Sequence, residues 1–317
     1  MFKAIDPATS AEIVSIDPAW DGRRSELRTY CAARDLQCPE CHQSVRLRAG
    51  ELLRAHFAHK HKLKCSMSGE SADVLDVRAA LYGWLTSKFG DSVEIEKQDD
   101  ARSFPRPIDC WVNRQEGPLG YVALARGMGS NRRAQMLAAI REAKLPATFV
   151  FHVSTLELAD GHPGCIILST THRDFAAHPR FDQPHHFGGG SSVHYFDPHS
   201  GALTTFRGLE VWHPPQVYRG TRLASKLSDM LVSPKTGEFV HPGEVDKWKA
   251  WNAQRAAQVR APATQQKAPV RPETRPRVLL FPEATCVICG QITRDYLEHN
   301  GYDKTCRCNE CRRAGRR

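Results

Sequence analysis

Clustered cysteines are the residues of this sequence whose types and spacing could do chemistry. Near the C-terminus, Cys286 with Cys289 and Cys308 with Cys311 form two C-x2-C pairs, separated by 18 residues. Two such pairs let four thiolates approach one Zn²⁺ at about 2.3 Å in a tetrahedron. We therefore predict a structural zinc ribbon at this end of the chain, in which Cys306 could replace Cys308 as a ligand.

A second cluster of metal-ligand types lies near the N-terminus. Cys38 and Cys41 form another C-x2-C pair, and the same 28-residue stretch continues with His56, His59, His61 and Cys65. The three-residue spacing of His56 and His59 would place both imidazoles on one face of a helix. The expected ligands are Cys38, Cys41, one of His56 and His59, and Cys65. We predict a second structural zinc site from this spacing.

Other motifs narrow the chemistry further. The histidines between residues 172 and 199 match no closed ligand set, apart from His185 and His186 with His194, and we interpret them as exposed loop residues. The sequence contains no phosphate-binding loop, no dinucleotide-binding glycine pattern, no G-x-S-x-G elbow and no H-E-x-x-H zinc-protease motif. The enzyme classes that depend on those motifs are excluded.

The N-terminal cluster and the segment after it resemble the competence protein CoiA-like family. The resemblance rests on the order of four features: the knuckle CPEC, the tetrapeptide HFAH, the Glu70-Ser71 pair that opens a helix, and the strand pair VEIE…RPIDCWV. It covers roughly residues 36–155. It implies a zinc-binding segment fused to a restriction-endonuclease-like nuclease core that acts on DNA.

The resemblance also implies site residues. Glu70 matches the helix-opening Glu of the family, Asp109 matches the strand Asp, and Arg106 matches a basic residue that precedes it. Such a core hydrolyses a phosphodiester with Mg²⁺ or Mn²⁺ held by carboxylate oxygens. The third part of the motif departs from the family, because Ala125-Arg126-Gly127 stands where the family shows a Glu-x-Gln-like triplet.

The helix departs from the family as well, since Val74 and Arg78 stand where His and Lys are common. Glu94 and Glu96 on the neighbouring strand could restore metal binding from a new position, and we expect only one of them to face the site. Two functions therefore stay open. The chain is a metal-dependent DNA nuclease, or it is an inactive zinc protein that binds DNA or a protein partner through its nuclease-like core and zinc ribbon.

The elements that would position these residues are predicted from hydrophobic periodicity. A helix runs from Ser71 to about Gly90, and further elements are predicted as strands 92–96, 108–112 and 121–125, helix 132–143 and strand 148–151. This order predicts the α/β class, with a restriction-endonuclease-like mixed sheet core flanked by two small zinc-binding modules.

We divide the chain into five regions. They are an N-terminal Cys/His zinc-binding segment (1–69), a nuclease-like α/β core (70–155), an irregular α+β extension (156–258), a Pro-rich linker (259–282) and a basic zinc ribbon (283–317).

Charge is concentrated at the C-terminal end. The 317 residues carry 44 basic and 35 acidic side chains, and residues 251–317 account for 13 − 6 = +7 of the net +9. A basic tail predicts a nucleic-acid partner, most simply DNA. The predicted phosphate contacts in this tail are Arg307, Arg312, Arg313, Arg316 and Arg317.

The sequence gives no sign of a membrane or a secretory route. No uninterrupted apolar stretch approaches the roughly 18 residues of a membrane span, and the first residues lack the pattern of a secretory signal. We therefore expect a cytoplasmic location with no membrane partner.

Overall fold

The computed structural model describes most of the first 250 residues. The described ranges are 1–50, 54–61, 65–68, 70–98, 104–125, 127–162, 164–176, 191–213, 216–234, 236–250 and 253, together with the backbone of 284–285 and 292–293. The chain separates into two units, Met1–Arg255 and Ala256–Arg317. The predicted linker, the cysteines of the zinc ribbon and the arginines of the basic tail lie outside the described residues.

The N-terminal segment is built from two small antiparallel pairs and one helix. These elements are β1 (Lys3–Asp6), β2 (Ala11–Val14), α1 (Arg24–Ala32), β3 (Val45–Arg48) and β4 (His56–His59). They share a core that contains Leu27, Leu36, Val45 and Phe57. Residue Gln37 bridges β1 through Ile5, so β1 is tied to the segment that carries Cys38.

Helix α2 (Ala72–Phe89) begins and ends where the sequence predicts. The Ser71 side chain accepts a hydrogen bond from the Val74 amide at the N-terminus, and Gly90 ends the helix with a left-handed φ of 57°. Its buried positions include Val77, Leu81 and Leu85, which is the apolar stripe expected from their spacing. This stripe packs on the central sheet.

One nine-stranded mixed sheet dominates the first unit. Its order is β5-β6-β7-β8-β11-β12-β13-β10-β9, with parallel pairing of β7 with β8 and of β8 with β11. Its strands are β5 (Val93–Lys97), β6 (Ile108–Val112), β7 (Leu119–Leu124), β8 (Ala147–His152), β9 (Glu157–Leu158), β10 (Cys165–Ile167), β11 (Ser192–Asp197), β12 (Ala202–His213) and β13 (Val217–Lys226). The predicted mixed α/β class is confirmed.

Helices cover both faces of this sheet. Helix α2 packs on one face together with the short pair β14 (Leu231–Val232) and β15 (Phe239–Val240), and Phe239 joins that core. Helices α3 (Ser130–Glu142) and α4 (Thr170–Ala176) pack on the other face. Both faces of β7 and β8 are therefore buried, which is why these strands read as continuous apolar runs.

The region 156–258 continues the same sheet. Strand β8 of the predicted core pairs in parallel with β11, and β11 pairs with β12 of the predicted extension. The predicted boundary at residue 155 thus falls inside one hydrogen-bonded sheet. Residues 245–250 are helical.

The second unit has one described ladder. Strands β16 (Ala284–Thr285) and β17 (Ile292–Thr293) pair antiparallel and bracket the predicted first knuckle of the zinc ribbon. Within the described part of the chain, no helix combines the length and the apolar character that a membrane crossing needs.

Candidate functional site

Four predicted zinc ligands converge in the N-terminal segment. One ligand atom from each of Cys38, Cys41, His59 and Cys65 lies within 4.8 Å of the other three. The Sγ atoms of Cys38 and Cys65 are 3.9 Å apart, and Cys41 Sγ lies 3.2 Å from His59 Nε2. Ligands at about 2.3 Å from a tetrahedral Zn²⁺ would be separated by roughly 3.7 Å. Three thiols and one imidazole at these separations fit one zinc ion.

The prediction that His56 and His59 share a helical face is wrong. The tetrapeptide HFAH forms strand β4, on which residues three apart point to opposite faces. His59 faces the cysteines, whereas His56 Nδ1 lies 2.9 Å from the carbonyl oxygen of Arg54. His56, a candidate by sequence, therefore lies outside the ligand set.

The residues around the four candidate ligands contact them and change the pKa of their thiols. Glu40 Oε2 contacts the hydroxyl of Ser66, next to the ligand Cys65. Burial raises the pKa of the Cys38 and Cys65 thiols, so metal binding must displace protons from them. Cys31 is buried in the neighbouring core and is not one of the four.

A second cluster brings together the carboxylates that the family resemblance picks out. Glu70 lies just before α2, Glu96 near the end of β5, and Asp109 near the start of β6. The guanidinium of Arg78, from the second turn of α2, lies between all three and pairs with each of them. Its side chain is 1% exposed. Sequence reasoning noted Arg78 only as a departure from the family and did not assign it this role.

Each carboxylate also has a backbone or terminal partner. Glu96 accepts hydrogen bonds from the amides of Phe2 and Lys3, at 2.7 and 3.0 Å. Asp109 Oδ2 accepts one from the Ala123 amide at 2.7 Å. The amino group of Met1 lies 3.1 Å from Glu70 Oε2.

Arg106, the predicted basic neighbour, pairs with Asp109 through its guanidinium. Three carboxylates thus face two guanidinium groups and one amino group.

These contacts decide the protonation states of the central pair. Burial tends to lower the pKa of Arg78, but Asp109, Glu70 and Glu96 outweigh it and hold this pKa well above its ordinary value. Burial likewise tends to raise the pKa of Glu70, but Arg78 outweighs it and the pKa lies well below its ordinary range. Arg78 and Glu70 are therefore both charged at neutral pH.

The cluster does not fit a divalent cation. Mg²⁺ and Mn²⁺ need carboxylate oxygens that are free to coordinate them. Here the fixed positive charge of Arg78 already occupies the space between Glu70, Glu96 and Asp109. The predicted Mg²⁺ or Mn²⁺ site is therefore filled by a side chain.

Of the two glutamates on β5, Glu96 faces the cluster and Glu94 does not. Residues two apart on a regular strand share a face, so side-chain alternation alone would not separate them. Glu96 adopts a left-handed φ of 51°, which turns its side chain toward Arg78. Glu94 instead accepts from Asn113 and pairs with Lys97 at the sheet edge.

The third part of the nuclease motif supplies no carboxylate. Ala125, just beyond β7, is buried and lines a cleft of about 290 Å³ next to the cluster. Glu70, Arg106 and Arg132 also line this cleft. Glu70, Arg106 and Ala125 are three of the positions at which the resemblance expects residues of the nuclease motif.

Two histidines of the middle region differ from the prediction of exposed loop residues. His172 of α4 is 6% exposed and His194 of β11 is 1% exposed. His194 Nδ1 lies 2.9 Å from the Thr205 hydroxyl, and His172 packs edge-on against Phe151. They are core residues because β11 lies inside the sheet and α4 packs on it, and the spacing of the histidines alone does not indicate this burial.

Comparison with known families supports the resemblance for the N-terminal segment. Residues 20–68 match the family model for the N-terminal domain of the competence protein CoiA. No curated protein and no solved structure matches the chain. The matched range contains α1, both strands of the β3–β4 hairpin and all four residues of the Cys/His cluster. Residues 20–68 of this chain are therefore similar to the N-terminal domain of the competence protein CoiA.

Proposed function

We propose that this CoiA-like protein binds DNA through a restriction-endonuclease-like core that has lost hydrolytic activity, with zinc holding its N-terminal segment. The observation that carries the proposal is the position of Arg78. Its guanidinium pairs with the three carboxylates that would otherwise hold a catalytic metal ion.

Loss of catalysis follows from the charge at this site. A nuclease of this type needs a divalent cation to neutralise developing charge and to generate hydroxide. A guanidinium has no exchangeable coordination site and cannot activate water in this way. The absence of a carboxylate at Ala125 acts in the same direction, because it removes a ligand that a metal ion would need.

DNA binding is supported by charge. The chain carries a net charge of +9, and the cleft beside the cluster is lined by the exposed Arg132 and by Arg106, which also pairs with Asp109. The predicted arginines of the C-terminal tail add to this charge. Basic side chains that line a cleft attract the phosphate backbone and raise the local concentration of nucleic acid.

The test combines cleavage with binding. Pure full-length protein is incubated with single- and double-stranded DNA in the presence of Mg²⁺ or Mn²⁺, beside an Asp109→Ala variant. We expect no cleavage, and we expect retention of DNA in a gel-shift titration that weakens as salt rises. Cleavage that is lost in Asp109→Ala would overturn the proposed loss of activity. Absence of DNA binding at low salt would overturn the proposed role.

A metal-dependent nuclease is the second candidate. It is favoured by the convergence of Glu70, Glu96 and Asp109 from three separate elements, as a catalytic site requires. This function needs Arg78 to leave the cluster when metal binds. Electron paramagnetic resonance of Mn²⁺ titrated into the wild-type protein distinguishes the two, since only the nuclease would show a tightly bound ion.

A further inference from the structure

The outward face of the β3–β4 hairpin is basic. Arg46 and Arg48 are two residues apart on β3, so their side chains share one face of the hairpin. Arg48 lies opposite His56 on β4. Lys60 follows at the end of β4. We call Arg46, Arg48, His56 and Lys60 the basic face. The other side of the same hairpin buries Val45 and Phe57 and directs His59 to the cysteines.

Two arginines of the basic face have free charge. Arg46 and Arg48 are exposed, and neither has an acidic partner within the described part of the chain. Lys60 differs, since its Nζ lies 3.2 Å from Asp35 Oδ1. Exposed arginines without an acidic partner, carried on a hairpin beside the Cys/His cluster, can donate hydrogen bonds to an anionic partner.

The basic face borders a cleft that leads to the nuclease-like core. This cleft has a volume of about 430 Å³, and its lining includes the basic face, Ser68 and Glu70. Ser68 and Glu70 also line the smaller cleft that contains Arg106 and Arg132. The two clefts adjoin at these residues. The negative charge of Glu70 is neutralised there by Arg78.

We infer that the basic face and the two adjoining clefts form one track for the phosphate backbone of duplex DNA. This inference rests on the proposed DNA-binding function and assigns its surface. Charge complementarity selects a polyanion. Among the described residues that line the two clefts, Phe57 is the one aromatic residue of the Phe, Tyr or Trp type, and its side chain is 1% exposed. The clefts therefore offer no exposed aromatic ring of these types within the described residues, which favours duplex over single-stranded DNA. Single-strand binding relies on exposed rings that stack on bases.

The experiment compares two matched double variants of the full chain. Arg46→Gln with Arg48→Gln removes two charges from the basic face. Arg222→Gln with Lys226→Gln removes two exposed charges from β13, on a strand far along the sheet. Fluorescence anisotropy with a labelled duplex is measured over a range of salt concentrations, with zinc content as the check on folding.

We expect the basic-face variant to bind duplex about tenfold more weakly at physiological salt, with a slope of log affinity against log salt smaller by about two. The β13 variant should bind like the wild type. Arg46→Lys with Arg48→Lys keeps both charges and should restore most of the affinity, which a merely structural role of the arginines would not predict.

Three results would overturn the inference while leaving DNA binding intact. They are an unchanged affinity of the basic-face variant, an equal loss in both double variants, and a loss seen with single-stranded DNA but not with duplex. Competition by polyglutamate as strong as that by duplex would instead assign the face to an acidic protein partner. Wild-type protein that binds no DNA at all would overturn the proposed function itself.

Discussion

At the scale of single residues, Arg78 stabilises the fold through charge. Arg78→Ala would leave Glu70, Glu96 and Asp109 buried together without their shared counter-charge. Removing one partner of a buried ion pair typically costs about 3–5 kcal/mol in free energy of unfolding. We expect a loss of this order, measured by urea denaturation.

Arg54→Ala is the matched control for that experiment. Arg54 pairs with Asp76 on the surface, where the two side chains are 48% and 38% exposed. Exposed pairs contribute about 0–1 kcal/mol. A similar loss in both variants would contradict the central role of Arg78.

Millimolar Mg²⁺ should raise the melting temperature of Arg78→Ala, because the three carboxylates of that variant are free to coordinate the ion, and it should leave the melting temperature of the wild type unchanged.

The zinc ligands give a second prediction at this scale. His59→Gln should lower the zinc content by one ion per chain, because it removes the imidazole that faces Cys38, Cys41 and Cys65. His56→Gln, three residues earlier on the same strand, should keep the wild-type content. Mass spectrometry under native conditions measures both. Equal zinc loss in the two variants would show that the strand geometry does not select the ligand.

The sequence predicts which residues belong to these sites better than it predicts which contacts they make there. Cys38, Cys41 and Cys65 follow from ligand spacing alone, because metal sites require close pairs of thiols. The choice of His59 over His56 depends on whether HFAH is a helix or a strand, which four residues cannot decide. The pairing of Arg78 with three acids depends on contacts between α2, β5 and β6, and no local pattern encodes it.

At the scale of elements, buried histidines on both sides of the sheet make stability depend on pH. Burial lowers the pKa of His172 on α4 to about 4, and burial together with the Arg207 charge does the same for His241 on the opposite face. Both imidazoles are neutral in the folded chain at pH 7. The unfolded chain takes up protons below a pKa of about 6.5, so stability present above that pH is lost as pH falls toward 4.

Within that window, we expect each histidine to change the free energy of unfolding by about 1.4 kcal/mol per pH unit. His172→Gln should remove one histidine's share of this pH dependence, measured by denaturation at a series of pH values between 6.5 and 4. His199→Gln alters an exposed turn residue and should leave the slope unchanged. A wild-type stability that is flat across this window would contradict the buried neutral state.

Elements with strong local signals can be predicted from the sequence, and those that depend on distant partners cannot. Helix α2 has a serine cap, an apolar stripe and a terminal glycine, so both its ends are predictable. Strands β9, β10 and β13 are absent from the sequence prediction. Strand β13 has an exposed, alternating face and reads as a polar loop until its pairing with β12 is known.

At the scale of the whole molecule, the two units give a prediction about truncation. A chain ending at residue 258 keeps the whole first unit, Met1–Arg255, with its own core. We expect it to retain the melting temperature of the full chain and to lose one zinc ion with the predicted ribbon. It should also show a shallower salt dependence of DNA binding, because the five tail arginines are gone. A truncated chain that is unfolded by circular dichroism would contradict this division.

The central sheet has a consequence for the order of events during synthesis. Strands β5 to β8 are consecutive along the chain and can pair as they emerge from the ribosome. The next strand in the sheet is β11, and its contact between Val150 and His194 spans 44 positions. Pairings between distant positions form slowly. The apolar edge of β8 therefore stays open while the intervening residues are translated, and a nascent chain stalled in that interval presents a template for aggregation.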